Sequence, residues 1–261
     1  MKLRLAILTS IARGTASRVL PALLQSDKLS VAGAILIQTP PRQRFRIKPK
    51  KIRQIGLLGA LNGLRMRSWY ADNEAPDLQV LCAEMGVPCI KTDSTNGQQT
   101  CDALATLNAD LGLSLGNDYI HPRVFEIPRF GMINVHGEIL PEFKGAQSVI
   151  WPIYAGRTMS GLTVHQVAKS IDGGDILYQR EIPIIFRNTL RATVERTTQM
   201  TRSAVPDAVR LVCENYHDFQ THSVKQVGGD RYTTPSLLQF ARMLANHQRL
   251  YRSAPSTKPH A

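Results

Sequence analysis

Three polar residues are spaced so that they can act together. Asn134 and His136 stand two apart at the end of the short apolar run Gly131–Val135, which predicts a buried strand. The strand period of two sends both side chains out of the same face. Gly137 and Pro141 then break the strand. Asp172 lies in a second break, Ser170–Asp175, between Ile171 and a Gly-Gly turn. An amide N–H can stabilise a developing oxyanion. An imidazole can move a proton near neutral pH. A carboxylate can orient the imidazole, favour its charged form or hold a water. Taken singly, each residue also has a structural reading: a hydrogen-bonded strand-end histidine, an Asx-turn asparagine, a turn aspartate.

The residues around these three carry a resemblance. N-V-H-G-E-I-L-P-E-F-K-G-A, followed by S-G-L-T-V-H-Q-V-A-K-S-I-D-G-G-D-I-L, resembles the core of the folate-dependent formyltransferases. Their pattern is N-x-H, then L-L-P-x-[FWY]-[KR]-G, then [IL]-D-x-G-[DP]. Asn134, His136 and Asp172 match its three polar positions, and Ile139, Leu140, Pro141, Phe143, Lys144 and Gly145 match the middle motif. The clear match covers Asp110 to about Pro183. Glu138 departs from the small residue usual after the histidine. The resemblance implies Asn134, His136 and Asp172 as catalytic residues and 10-formyltetrahydrofolate as donor, with no metal. Tyr119, Ile120, Phe125, Met132 and Ile171 are its implied folate contacts. Arg13, Gly14, Thr15, Gly145 and His165 fall on the acceptor side.

The implied acceptor is a primary amine, a small molecule carried on a nucleotide. The segment V-I-W-P-I-Y-A-G looks like one seen in sugar N-formyltransferases. Glycinamide ribonucleotide transferases are shorter, and methionyl-tRNA transferases carry a C-terminal barrel that the residues after Asp230 are too few to build; both remain alternatives. The non-enzymatic alternative is a basic module that binds nucleic acid.

The elements that must position these residues follow from pattern. The chain has 261 residues, 43% hydrophobic and 20% charged, the composition of an ordinary globular protein. Alternating strand and helix patterns predict an α/β fold with a mostly parallel, doubly wound, Rossmann-like sheet and a small C-terminal extension. Strands are expected at Leu3–Leu8, Leu29–Ile37, Val87–Lys91, Asp110–Leu115, Leu162–Val167 and Asp175–Ile185. Helices are expected at about Ala16–Gln25, Pro76–Met85, Gln98–Asn108, Ala146–Ala155 and Thr189–Tyr216, with a kink or break at Pro206. Residues 1–190 are expected to form the catalytic domain, 191–230 a helical part of the core, and 231–261 a basic extension with a helix near Ser236–Leu250 and a disordered end.

Net charge is +12, which suits an anionic substrate, nucleic acid or a membrane surface. Seven basic residues and no acid run from Arg42 to Arg53, and Gly56–Arg67 then shows roughly helical apolar spacing before Trp69 and Tyr70. A basic segment beside exposed aromatics can bind nucleic acid, clamp phosphates, or simply dock on the core. No apolar stretch approaches the ~18 residues of a membrane span. The four cysteines lack zinc-like spacing, so reduced thiols and a cytoplasmic location are expected.

Overall fold

The computed structural model describes residues 1–38 and 49–253, with the side chains of 49–54 excepted. Arg42, Arg44, Arg46 and Lys48 of the basic segment, and the expected disordered end from residue 254, lie outside the described residues.

Strand β1 (Leu3–Thr9) and β2 (Leu29–Ile37) are almost wholly apolar and buried, as parallel strands covered on both faces must be. Leu5 and Ile7 enter one core cluster while Ala6 and Leu8 enter another, the alternation a strand imposes. Between them α1 (Thr15–Leu24) buries Ala16, Val19, Leu20 and Leu23, one helical stripe. Then come α2 (Pro49–Arg67, interrupted by a non-helical Gly56 at φ 73°), α3 (Leu78–Glu84), β3 (Cys89–Thr92), α4 (Gln98–Leu107), β4 (Leu111–Ser114), α5 (Pro122–Phe125) and β5 (Met132–His136). The chain continues through β6 (Phe143–Gly145), α6 (Ile150–Tyr154), β7 (Met159–Gln166), β8 (Ile176–Pro183), α7 (Leu190–Glu214), α8 (Tyr216–Thr221), β9 (Asp230–Tyr232) and α9 (Leu237–Ser253).

The main sheet has the order β3-β2-β1-β4-β5-β7-β8. The first five strands are parallel; β5–β7 and β7–β8 are antiparallel. Helices α1 and α7 cover one face and α4 the other. The order reverses between β1 and β4, and the C-terminal ends of strands at such a switch point are where open α/β sheets hold ligands. No helix among the described residues is long and apolar enough to cross a membrane.

Several expectations need correcting. The helix expected from Ala146 begins only at Ile150, because Gln147 and Val149 have φ of 71° and 72°, outside the helical region. Helix α7 runs through Pro206 and breaks at Asn215 instead. The segment Gly56–Arg67 does dock, but through Gly59, Ala60, Gly63 and Met66; Leu57, Leu58 and Leu61 point outward and are 50–61% exposed. Trp69 is buried, and Tyr70 donates to the Ser148 carbonyl, so neither offers a base-stacking platform. The residues after Gly228-Gly229 do not stand off from the core. Strand β9 pairs in parallel with β6, and Met243 and Leu250 of α9 pack with Trp69, Ile150 and Trp151 in a third cluster.

Candidate active site

A cleft of about 400 Å³ opens at the C-terminal ends of β4 and β5. Its floor carries Asn134 and His136; one wall is the Gly116–Ile120 loop after β4, another is the Val167–Asp172 loop, and a third is formed by Gly145, Ala146 and Arg231–Thr233. That volume lies within the ~300–1,000 Å³ common for small-molecule sites.

The β5–β7 register sets Asn134 directly opposite His165. The Asn134 amide donates to His165 Nε2 at 3.3 Å, and His165 Nδ1 lies 2.8 Å from the Gln166 carbonyl. A carbonyl only accepts, so Nδ1 carries the hydrogen and Nε2 is the acceptor. Burial pushes His165 down to about 4, against the Gln166 bond and the Asp172 charge; it is therefore neutral at pH 7. One Asn134 N–H is committed to His165 and the other is left for the cleft.

His136 is almost buried, and its Nε2 donates to the Phe143 carbonyl at 2.7 Å. Nδ1 is thus the nitrogen that can exchange a proton. It faces Asp172 Oδ2 at 3.8 Å, close enough for charge stabilisation and too long for a direct hydrogen bond. Asp172 Oδ1 lies 3.7 Å from His165 Nε2. The carboxylate is held by the Gly145 N–H, which donates to Oδ2 at 2.8 Å. Asp172 itself sits at φ 49°, an uncommon conformation that aspartate tolerates better than most residues.

The structure therefore brings Asn134, His136, Asp172, His165 and Gly145 together, although residues 134 and 172 are distant in sequence. Tyr119, Ile120 and Ile171 also line the cleft, and the Tyr119 hydroxyl donates to the Lys169 carbonyl at 3.0 Å, tying two walls together. Phe125 and Met132 do not line it. Both are buried in the cluster behind Ile120 with Leu104 and Val124; Met132 shares the strand face of Asn134 but lies at the start of β5, two residues back from the end that opens on the cleft. Nor do Arg13, Gly14 and Thr15 line it. The Gly14 amide is taken by Ser17 Oγ, and the Ala12 carbonyl accepts from the Leu78 N–H, so this loop spends its polar groups locally.

Sequence reasoning missed Asn117 and Arg231–Thr233. Asn117 donates to the Leu8 carbonyl and accepts from Ser10 Oγ, fixing the β4 loop to the end of β1. Its place in a polar loop after a strand was a usable signal. For Arg231–Thr233 there was none, since a three-residue parallel pairing across some eighty residues has no pattern.

The formyl transferase family model matches residues 67–209, more than half of the chain. The chain belongs to the formyl transferase family. A methionyl-tRNA formyltransferase of Listeria innocua is 26% identical over 174 residues, which is 66% of this chain and 52% of that protein; the chain thus spans about half the length of that curated relative. Among solved structures, the phosphoribosylglycinamide formyltransferase of Anaplasma phagocytophilum superposes with a TM-score of 0.56 at 18% identity, covering 82% of this chain and 89% of that one. WlaRD, a sugar 3N-formyl transferase solved in the presence of dTDP and 5-N-formyl-THF, superposes with a TM-score of 0.57 at 16% identity, covering 96% of this chain and 80% of that one. At these identities the likeness is one of fold. Asn134, His136 and Asp172 all fall inside the part matched to the formyl transferase family.

Proposed function

We propose that this chain moves a formyl group from 10-formyltetrahydrofolate to a primary amine carried on a nucleotide-linked sugar. The observation that carries the reading is the convergence of Asn134, His136 and Asp172 in one cleft of a formyl transferase fold. The cleft fits the donor: Tyr119, Ile120 and Ile171 supply apolar walls for a flat pterin, with polar atoms beside them. In the proposed reaction the acceptor nitrogen attacks the formyl carbon, the bond to the donor nitrogen breaks, and tetrahydrofolate leaves with one proton.

Each group has a distinct task. The free Asn134 N–H donates to the formyl oxygen as negative charge develops on it. Nδ1 of His136 takes the proton shed by the attacking amine and returns one to the leaving nitrogen. Asp172 stabilises the transient imidazolium through space. His165, kept neutral by burial, accepts from Asn134 and thereby aims the amide.

The sugar acceptor is supported by the fold likeness to WlaRD, which extends over nearly the whole chain. The competing acceptor is methionyl-tRNA, favoured by the Listeria relative and the +12 net charge. The test is release of tetrahydrofolate across amino-sugar nucleotides, glycinamide ribonucleotide and methionyl-tRNA. Turnover is expected with an amino-sugar nucleotide and should fall by roughly 10²–10⁴ in His136→Ala. Turnover with tRNA alone would move the acceptor assignment, and undiminished turnover in a folded His136→Ala would overturn the mechanism.

A further inference from the structure

Strand β9 is built into the cleft. It pairs in register with β6, Lys144 opposite Arg231 and Gly145 opposite Tyr232. At Gly145, whose φ is 105°, a Cβ would lie 2.1 Å from the Tyr232 carbonyl oxygen, so the two strands meet where only glycine fits. From the other side the Tyr232 ring packs on Trp151 at 4.6 Å and on Phe143 at 5.6 Å. Arg231 is thus presented to the cleft by a strand fixed on both sides.

The charges that line this cleft are unbalanced in a useful way. Asp118 and Asp172 are carboxylates, and Arg231 is the one lysine or arginine on the lining among the described residues. Arg231 is exposed and makes no ion pair or side-chain hydrogen bond among the described residues, whereas the neighbouring Lys144 ammonium donates to the Gly228 carbonyl at 2.6 Å. A guanidinium offers a planar fork of donors that matches a phosphate or carboxylate in two bonds at once.

We infer that Arg231 binds a phosphate of the acceptor, which makes the segment after Asp230 part of the acceptor site; this rests on the formyl-transfer reading above. The donor also carries anions, on its glutamate. The acceptor is favoured because the wall bearing Arg231 pairs with the Gly145–Ala146 segment, the Ala146 N–H donating to the Tyr232 carbonyl, while the apolar residues suited to the pterin lie on the other two walls.

The test measures binding of dTDP and of 5-formyltetrahydrofolate by titration calorimetry on the full-length wild type, Arg231→Ala and Arg231→Lys, each checked for an unchanged melting temperature. Loss of the bidentate pair should weaken dTDP by about 10- to 100-fold in Arg231→Ala, as for a hydrogen bond to a charged group. Arg231→Lys should recover part of that loss, and the folate affinity should move by less than about threefold in both. No dTDP binding by the wild type, equal dTDP affinity in Arg231→Ala, or a loss confined to the folate would each overturn the inference. Arg231-dependent dTDP binding by a wild type that ignores the folate would leave this anion site standing and remove the formyl-transfer reading.

Discussion

Glu138, which follows the Asn134–His136 pair, should make the stability of the fold fall as pH rises. Its side chain is 2% exposed. Oε1 accepts from the Val149 N–H and from Ser160 Oγ, and Oε2 is buried with no partner among the described residues. Burial raises its carboxyl from 4.5 to about 8, against its hydrogen bonds, which favour ionisation. Below 4.5 both folded and unfolded states hold the proton. Between 4.5 and 8 only the folded state holds it, so stability is lost steadily across that window and levels off above it. A shift of that size, at about 1.4 kcal/mol per unit, corresponds to an order of 4–5 kcal/mol.

Other buried groups tilt the raw curve. His165, lowered to about 4 from 6.5, is neutral in the fold and charged when unfolded between those values, so its contribution grows as pH rises through them. Cys89, lowered to about 7 beside Cys82, also favours the folded state as pH rises above 7. The discriminating quantity is therefore the difference between wild type and Glu138→Gln, in which these contributions cancel. Urea unfolding of both proteins from about pH 5 to about pH 9 should show that difference falling by an order of 4 kcal/mol, about 2 of it between pH 6.5 and 8. A difference constant within about 0.5 kcal/mol over that range would refute the argument.

Three further outcomes are expected. Asp172→Asn removes the charge facing His136 while retaining an acceptor for the Gly145 N–H, so turnover should drop about 10²-fold or more with little change in donor affinity, as read by steady-state kinetics. Gly145→Ala forces a Cβ against the Tyr232 carbonyl at an unfavourable φ; it should lower stability by on the order of 1–3 kcal/mol in a thermal melt and weaken the acceptor more than the donor. Met243→Ala empties a fully buried position on α9 and should destabilise by about 2–5 kcal/mol in denaturant; a cost near zero would mean that α9 does not share the core's cooperativity.

The parallel core was legible because its physics is local. Strands β1 and β2 are almost wholly apolar runs, and α1 and α4 show one buried stripe each, so their bounds are legible to within one residue or two. The site was half legible. Asn134 and His136 sit on one strand, so the period of two sufficed to place them together. Phe125 and Met132 failed as cleft residues for the complementary reason: an apolar side chain near a site looks the same from sequence whether it faces the cleft or the layer behind. The start of α6 was obscured by Val149, a β-branched residue held at positive φ with its N–H on Glu138. Propensity argues against that conformation, and only the buried carboxylate explains it.

The position of the one carboxylate in the proposed catalytic triplet depends on contacts that no single motif contains. Asp172 hangs from the Gly145 amide, Gly145 is pressed against Tyr232, and Tyr232 is packed on Trp151. The first two residues of that chain, with Trp151, lie in the part matched to the formyl transferase family, and Tyr232 lies beyond it. The same division separates Asn134, His136 and Asp172 from Arg231. On the proposed mechanism, formyl transfer needs only the inner set. Recognition of a particular acceptor can then change through β9 without disturbing the proton path, provided that residue 232 keeps its carbonyl against Gly145. On that mechanism the strand backbone supports the reaction while its side chains are free to select what reacts.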